Sequence, residues 1–262
     1  MLKFIAIFAI VFLLSGCSSD DYVELDNEQV RDLEVSIYFA IEDYHSSDRW
    51  QNYISIYINS ENEVVDIELN GISTLANSTR LNVAKLEGFA DIFEYDFYQE
   101  SNLLKEELIG LSKNELVEGM RNADDENINF DITVFINLAN TALNSQPMEK
   151  GPFADGMYTA TPQKPEVSMD YFVNLFVIHG HIKAVHFNAF LADHSLKYPV
   201  SENNYWREQA SLFEEALLIS QDFTIYTFDE EGLTTDIPGF EIDVKPFIFL
   251  VKEALASGPI TH

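Results

Sequence analysis

Tyr171-Phe172-Val173-Asn174-Leu175-Phe176-Val177-Ile178 runs into His179-Gly180-His181, and then into Ile182-Lys183-Ala184-Val185-His186-Phe187. A run of β-branched and aromatic residues, a turn holding a glycine and a second apolar run predict a β-hairpin. A diverged counterpart stands upstream. Tyr53-Ile54-Ser55-Ile56-Tyr57-Ile58 leads through a polar turn at 59–62 into Val64-Val65-Asp66-Ile67-Glu68-Leu69. A short strand precedes each hairpin, at Ser36-Ile37-Tyr38-Phe39-Ala40 and at Gly156-Met157-Tyr158-Thr159-Ala160.

Helical periodicity follows each hairpin. Ala210, Phe213, Ala216 and Leu217 recur at helical spacing within 206–219, and Leu103, Leu104, Leu108 and Leu111 do so in the first half. Each half then closes with another apolar helix, over 135–143 and over 247–255. Pro246 suits the first turn of the second of these, and Gly258-Pro259 ends it. Both halves therefore read strand, hairpin, helix, loop, helix. This predicts an α+β fold of two repeated small domains, 29–146 and 150–262, each an antiparallel hairpin or sheet packed with helices. The boundary falls at 144–154, which holds Pro147, Gly151 and Pro152. A single domain with coincidental internal similarity is the alternative.

The first residues have a different character. Met1-Leu2-Lys3, an apolar run from Phe4 to Leu14, and Ser15-Gly16-Cys17 have the order of a secretory leader with small residues before a cleavage point. The apolar run is too short for a mature membrane span. Cys17 is the sole cysteine, so no disulfide can form within the chain. The pattern resembles the bacterial lipobox. That resemblance implies cleavage after residue 16, a lipid on Cys17 and a tether over 17–28. It also implies a location at the cell envelope, outside the cytoplasm, in the periplasm or at the cell surface.

The chain has 44 acidic and 15 basic residues and a net charge of −29. Loss of the leader with Lys3 makes it one unit more negative. Such a chain repels nucleic acid phosphates and anionic membrane surfaces, so nucleic acid is excluded as a partner. A composition that is 47% hydrophobic and 13% aromatic is that of a folded protein rather than a disordered one.

The second half carries further features in a fixed order. Asp155-Gly156-Met157-Tyr158 opens it and the hairpin with Ile182-Lys183-Ala184-Val185 follows. Then come Tyr205-Trp206-Arg207-Glu208-Gln209-Ala210, Asp236-Ile237-Pro238-Gly239-Phe240-Glu241-Ile242, the closing helix, and Gly258-Pro259-Ile260. This order resembles the FMN-binding domain family, in particular tandem-domain lipoproteins of the flavinylated, pheromone-lipoprotein type. In that family a loop before the last helix carries Asp-x-x-Ser/Thr-Gly-Ala-Thr, and its final hydroxyl takes FMN as a phosphoester. The resemblance implies an extracytoplasmic flavin carrier or an accessory to electron transfer, with envelope or electron-transfer proteins as partners. The chain departs from the motif at the acceptor. Pro238-Gly239-Phe240-Glu241 stands where Ser-Gly-Ala-Thr would, with Gly239 kept, Asp236 one place out and Glu241 in place of the hydroxyl. In the first half Asn129 falls at the acceptor position. The residues aligned with the cofactor site are thus Asp236, Gly239, Glu241 and Asn129. FMN, if held, is not held by the family's linkage. The alternative is a binding or interaction lipoprotein that has lost flavin.

Other groupings point to less. His179, His181, His186 and His194, with Asp193, match no zinc spacing, and a solvated hairpin edge is the expectation for them. Asp229-Glu230-Glu231-Gly232 and Asp124-Asp125-Glu126 read as solvated acidic turns and lack the alternation of an EF-hand loop. Tyr158, Tyr205 and Trp206 could stack on a planar ligand or fill a core. No hydrolase motif or phosphate-binding glycine loop is present, and no catalytic residue is assigned.

Overall fold

In β2 (Gln51–Ile58) the side chains alternate between two packed surfaces rather than between core and water. Ile54, Ile56 and Ile58 are buried against the helices of the first half. Tyr53, on the opposite face, is buried among residues of the second half. A strand covered on both faces is apolar or aromatic at nearly every position, and 53–58 has that composition.

The computed structural model describes residues 35–42, 50–73, 78–85, 96–123, 128–161, 170–190 and 205–260. Cys17, the tether, Asp124-Asp125-Glu126, Asp193 and His194 lie outside the described residues. From Val35 onward the chain is one compact unit. β1 (Ser36–Ile41), β2, β3 (Val64–Ser73) and β4 (Ser78–Thr79) form an antiparallel sheet in that order. α1 (Arg80–Ala84), α2 (Phe97–Leu108), α3 (Leu116–Asn122) and α4 (Ile132–Leu143) pack on one of its faces. β5 (Gly156–Ala160), β6 (Asp170–Ile178) and β7 (His181–Phe190) form the second antiparallel sheet. α5 (Tyr205–Ser220) and α6 (Lys245–Ser257) pack on that sheet through Phe213, Leu217, Phe247, Leu250 and Val251. The fold is α+β.

The remaining faces of the two sheets meet. Tyr53 and Ile72 pack with Met157, Phe176, Ile178 and Ala184, and the Tyr53 and Phe176 rings lie 5.7 Å apart. His179 reaches across from the hairpin turn. Its Nε2 is 3.2 Å from Ser55 Oγ, and its ring stands edge-on to Phe39 and Tyr57. The layers therefore run helix, sheet, sheet, helix.

Local chemistry fixes the elements. Asp96 accepts from the Gln99 N–H and Asp131 from the Thr133 N–H, capping α2 and α4. Phe97, Glu100, Ser101, Leu104 and Leu108 form the buried stripe of α2, whereas Leu103, assigned to that stripe from sequence, is exposed. The turn between β6 and β7 is His179-Gly180 alone, with His181 opening β7. Both residues have positive φ, 52° and 77°, as a two-residue hairpin loop of the I′ kind needs. Gly180 also touches Gly151. A Cβ on Gly151 would lie 2.1 Å from the Gly180 carbonyl oxygen, so neither position accepts a side chain as built.

The expectation of a solvated edge fails for two of the hairpin histidines, whereas His181 is half-buried, with its ring Nε2 2.8 Å from the Glu149 carbonyl oxygen in an exposed contact. His179 and His186 are buried, at 9% and 1% exposure. They point at the other sheet and at packed neighbours, because the second face of this hairpin is also an interior face.

Candidate functional site

Three aromatic side chains from three elements build one wall. Tyr171 on β6, Trp206 in the first turn of α5 and Phe247 in the first turn of α6 lie together, Trp206 stacked on Phe247 and tilted against Tyr171. Trp206 is 6.0 Å from Tyr171 at 31° and 5.7 Å from Phe247 at 26°. Beside them opens an apolar cavity of about 200 Å³, lined also by Phe172, Phe187, Asn188, Leu250 and the entry to α6 at Ile242, Asp243 and Pro246. That volume is below the roughly 300–1,000 Å³ of sites that enclose whole drug-sized ligands. It suits one planar ring system, and aromatic walls stack on such rings.

The wall is held from behind by a buried ion pair. Arg207 donates to the Phe187 carbonyl at 2.7 Å and to the Glu214 carboxylate, and Glu214 accepts from the Phe187 N–H at 2.7 Å. Together they lock the Phe187 backbone to α5. Burial pushes the Glu214 carboxyl up, with Arg207 and the Phe187 N–H opposing that shift. His186, one residue away, has its ring Nδ1 4.0 Å from Glu214. Burial first, and the Arg207 charge second, lower its pKa to about 3. It is therefore neutral at physiological pH.

The loop before α6 borders this cavity, and Gln209 on α5 fixes it. The Gln209 amide donates to the Gly239 carbonyl at 3.1 Å, and its oxygen accepts from the Glu241 N–H at 2.5 Å. The Glu241 carboxylate accepts from the Tyr205 hydroxyl at 2.9 Å. Phe240, at the position where the family motif has Ala, is buried against Phe213 and Phe247.

The residues assigned from sequence therefore separate. Gly239 and Glu241 sit in the loop that leads directly into the cavity-lining Ile242 and Asp243. Asp236 is exposed and accepts from the Thr227 N–H and hydroxyl at 2.6 and 2.8 Å; those bonds hold its carboxyl below the usual range. It braces a turn and is absent from the cavity lining. Asn129 belongs to the first half, where its N–H and side-chain amide donate to the buried Glu100 on α2 at 2.7 and 2.9 Å. Tyr158 is a core residue whose hydroxyl donates to the Ala154 carbonyl. Tyr205 is exposed, and Trp206 faces the cavity. Tyr171 and Phe247 are cavity residues that sequence reasoning missed, since the stack joins side chains distant in the chain.

The donor set does not fit a phosphoester-linked flavin. Glu241 and Asn129 carry no hydroxyl, and both are engaged in hydrogen bonds that fix their loops. What the site offers instead is an apolar, aromatic lining. Among the described residues no group of three or more His, Cys, Asp or Glu side chains is placed to hold a metal. Asp229-Glu230-Glu231 is an exposed turn, in which Asp229 accepts from the Leu233 N–H at 2.9 Å.

Fold and site together define an α+β protein with, among the described residues, an aromatic-walled cavity between a sheet and its helices. No protein-family model matches the chain, and no curated protein matches it. A solution NMR structure of a protein from Clostridium thermocellum is similar to it at 28% identity, over 42% of this chain and 97% of the other, with a TM-score of 0.35. A score that low carries no argument about fold or function. No described helix is long and apolar enough to cross a membrane.

Proposed function

We propose that this chain is a lipid-anchored, extracytoplasmic binding protein built from two FMN-binding-type repeats, in which covalent flavin attachment has been lost and a non-covalent site for a planar aromatic ring remains. The observation that carries the reading is the Tyr171–Trp206–Phe247 stack beside an apolar cavity, at the end of the loop where the family's flavin would be attached. The anchor rests on the leader and Cys17, and the scaffold on the resemblance of the second half. The loss of attachment rests on Glu241 and Asn129.

The test is intact mass and absorption of the full chain, produced in a bacterium that supplies a flavin transferase and FMN. The expected product lacks residues 1–16, carries lipid on Cys17 and bears no FMN adduct. Added flavin should quench Trp206 fluorescence and be released on denaturation. A covalent FMN adduct would refute the loss of attachment. A chain that keeps its leader would refute the anchor. Absence of any bound ring would leave the alternative, an interaction lipoprotein whose partners are other envelope proteins.

A further inference from the structure

We propose that the cavity selects planar aromatic molecules that carry no anionic group, and discriminates against their phosphorylated forms. The inference rests on the reading of this cavity as a ring-binding site, and adds the class of ring it takes.

The argument starts from the mouth of the cavity. A ring held beside the Trp206–Phe247 stack would extend any polar tail toward the start of α6, where a helix N-terminus ordinarily offers free N–H groups and a positive dipole end to a phosphate. Here every such donor is used or missing. The Val244 N–H bonds to the Gly232 carbonyl at 2.9 Å. The Lys245 N–H bonds to the Asp243 carboxylate at 2.9 Å. Pro246 has no N–H. The N–H groups of Phe247 and Ile248 both bond to the Val244 carbonyl at 3.1 Å.

Charge points the same way. Asp243, whose carboxylate occupies that helix end, is itself part of the cavity lining, and Glu241 lies two residues before it. Among the described residues no Lys or Arg lines the cavity. Lys245, the first residue of α6, is turned away, with its ammonium on the Glu230 carbonyl at 2.8 Å and over the Phe228 ring. A phosphate entering at the start of α6 would come up against the Asp243 carboxylate, with no free backbone donor there and, among the described residues, no cation in the lining, inside a chain of net charge −29. The missing side chain of Gly232 makes room for that carboxylate, since a Cβ there would fall 1.9 Å from Asp243 Oδ1.

Matched ligand pairs that differ only by a phosphate test this. Riboflavin against FMN, and 1-naphthol against 1-naphthyl phosphate, are titrated into the full chain carrying Trp50→Phe, so that Trp206 alone reports. The expected result is binding of the uncharged member at least tenfold tighter in each pair. The gap should narrow at high salt and should narrow severalfold in Asp243→Asn, which keeps the capping oxygen and drops the charge. The salt series on the unsubstituted Asp243 stands alone if that variant does not fold. Equal or tighter binding of the phosphorylated members would overturn the selectivity and leave the ring site standing. Failure of all four compounds to bind would overturn both.

Discussion

Arg207 and Glu214 face each other across two turns of α5, and both grip the backbone of one residue of the adjoining sheet, Phe187. The pair is almost fully buried, so each charge depends on the other. Removing one partner leaves a buried, uncompensated charge, which costs about 3–5 kcal/mol. Glu214→Ala should therefore lower the urea midpoint sharply, while the paired replacement Arg207→Met with Glu214→Leu should lose less than the two single changes together. Additive losses in the double-mutant cycle would show that the two side chains act independently.

His186 gives the molecule an acid-sensitive contribution. Its folded-state pKa, about 3, lies below the ordinary value of 6.5, with burial as the main cause. Between those values the unfolded chain binds a proton that the folded chain refuses. Stability then rises with pH across that window and is lost as pH falls from about 6.5 toward 3. The loss from pH 6.5 to 5 is about 2 kcal/mol from this group. Burial also lowers His179 in the same direction. His186→Asn should flatten the dependence of stability on pH in this range, and His179→Gln should flatten it further. An unchanged slope in the double variant would assign the acid response to other groups.

These histidines also mark where the sequence was and was not readable. The hairpins were legible, because β-branched and aromatic runs flank turns of the right length, and His179-Gly180 has the composition of a tight turn. The four apolar helices were legible from their spacing and from Pro246 and Gly258. Which face of each strand meets solvent was not. Period-two reasoning assigns one face to the core and one to water, whereas here Tyr53, Phe176 and Ile178 close the two sheets on each other. The near-continuous apolar character of 53–58 and 171–178 was the available signal for burial on both faces. The cavity was only partly readable. Trp206 was read as a residue that could stack on a ligand or fill a core, and its neighbours Tyr171 and Phe247 are joined to it by the packing of β6, α5 and α6. The anchoring of Asn129 by Glu100, and of the Gly239–Glu241 loop by Gln209, has no local pattern at all.

The contact of Gly151 with Gly180 can be separated from simple backbone strain. Gly151→Ala places a methyl group into a backbone carbonyl that has no flexible end to move, and overpacking of this kind costs about 1–3 kcal/mol or more. Gly110 has φ 88° but open space around its Cβ position. Gly110→Ala should cost about 1–2 kcal/mol from the left-handed backbone alone. Thermal melts should place Gly151→Ala below Gly110→Ala, and the former should also disturb the His179 environment, seen in its side-chain NMR signals. Equal melting temperatures with an unaltered His179 would show that the 151–180 contact relaxes freely.

Gln209 offers the sharpest test of how the cavity-bordering loop is held. Its amide both donates to Gly239 and accepts from Glu241, and it is buried. Gln209→Ala removes both bonds and should cost about 1–3 kcal/mol. It should also weaken ring binding, since Ile242 and Asp243 follow directly. Gln209→Glu keeps the acceptor for the Glu241 N–H but can donate to the Gly239 carbonyl only when protonated. The folded state therefore holds that proton more tightly than the unfolded chain, and the introduced carboxyl has a raised folded pKa. The sign follows from linkage: the folded form binds more protons, so the stability of the variant falls as pH rises above the ordinary carboxyl range. Gln209→Glu should approach the parent at pH 5 and fall well below it at pH 8, in the opposite sense to the His186 effect. A constant difference between variant and parent across that range would mean that the Gly239 bond contributes nothing to holding the loop.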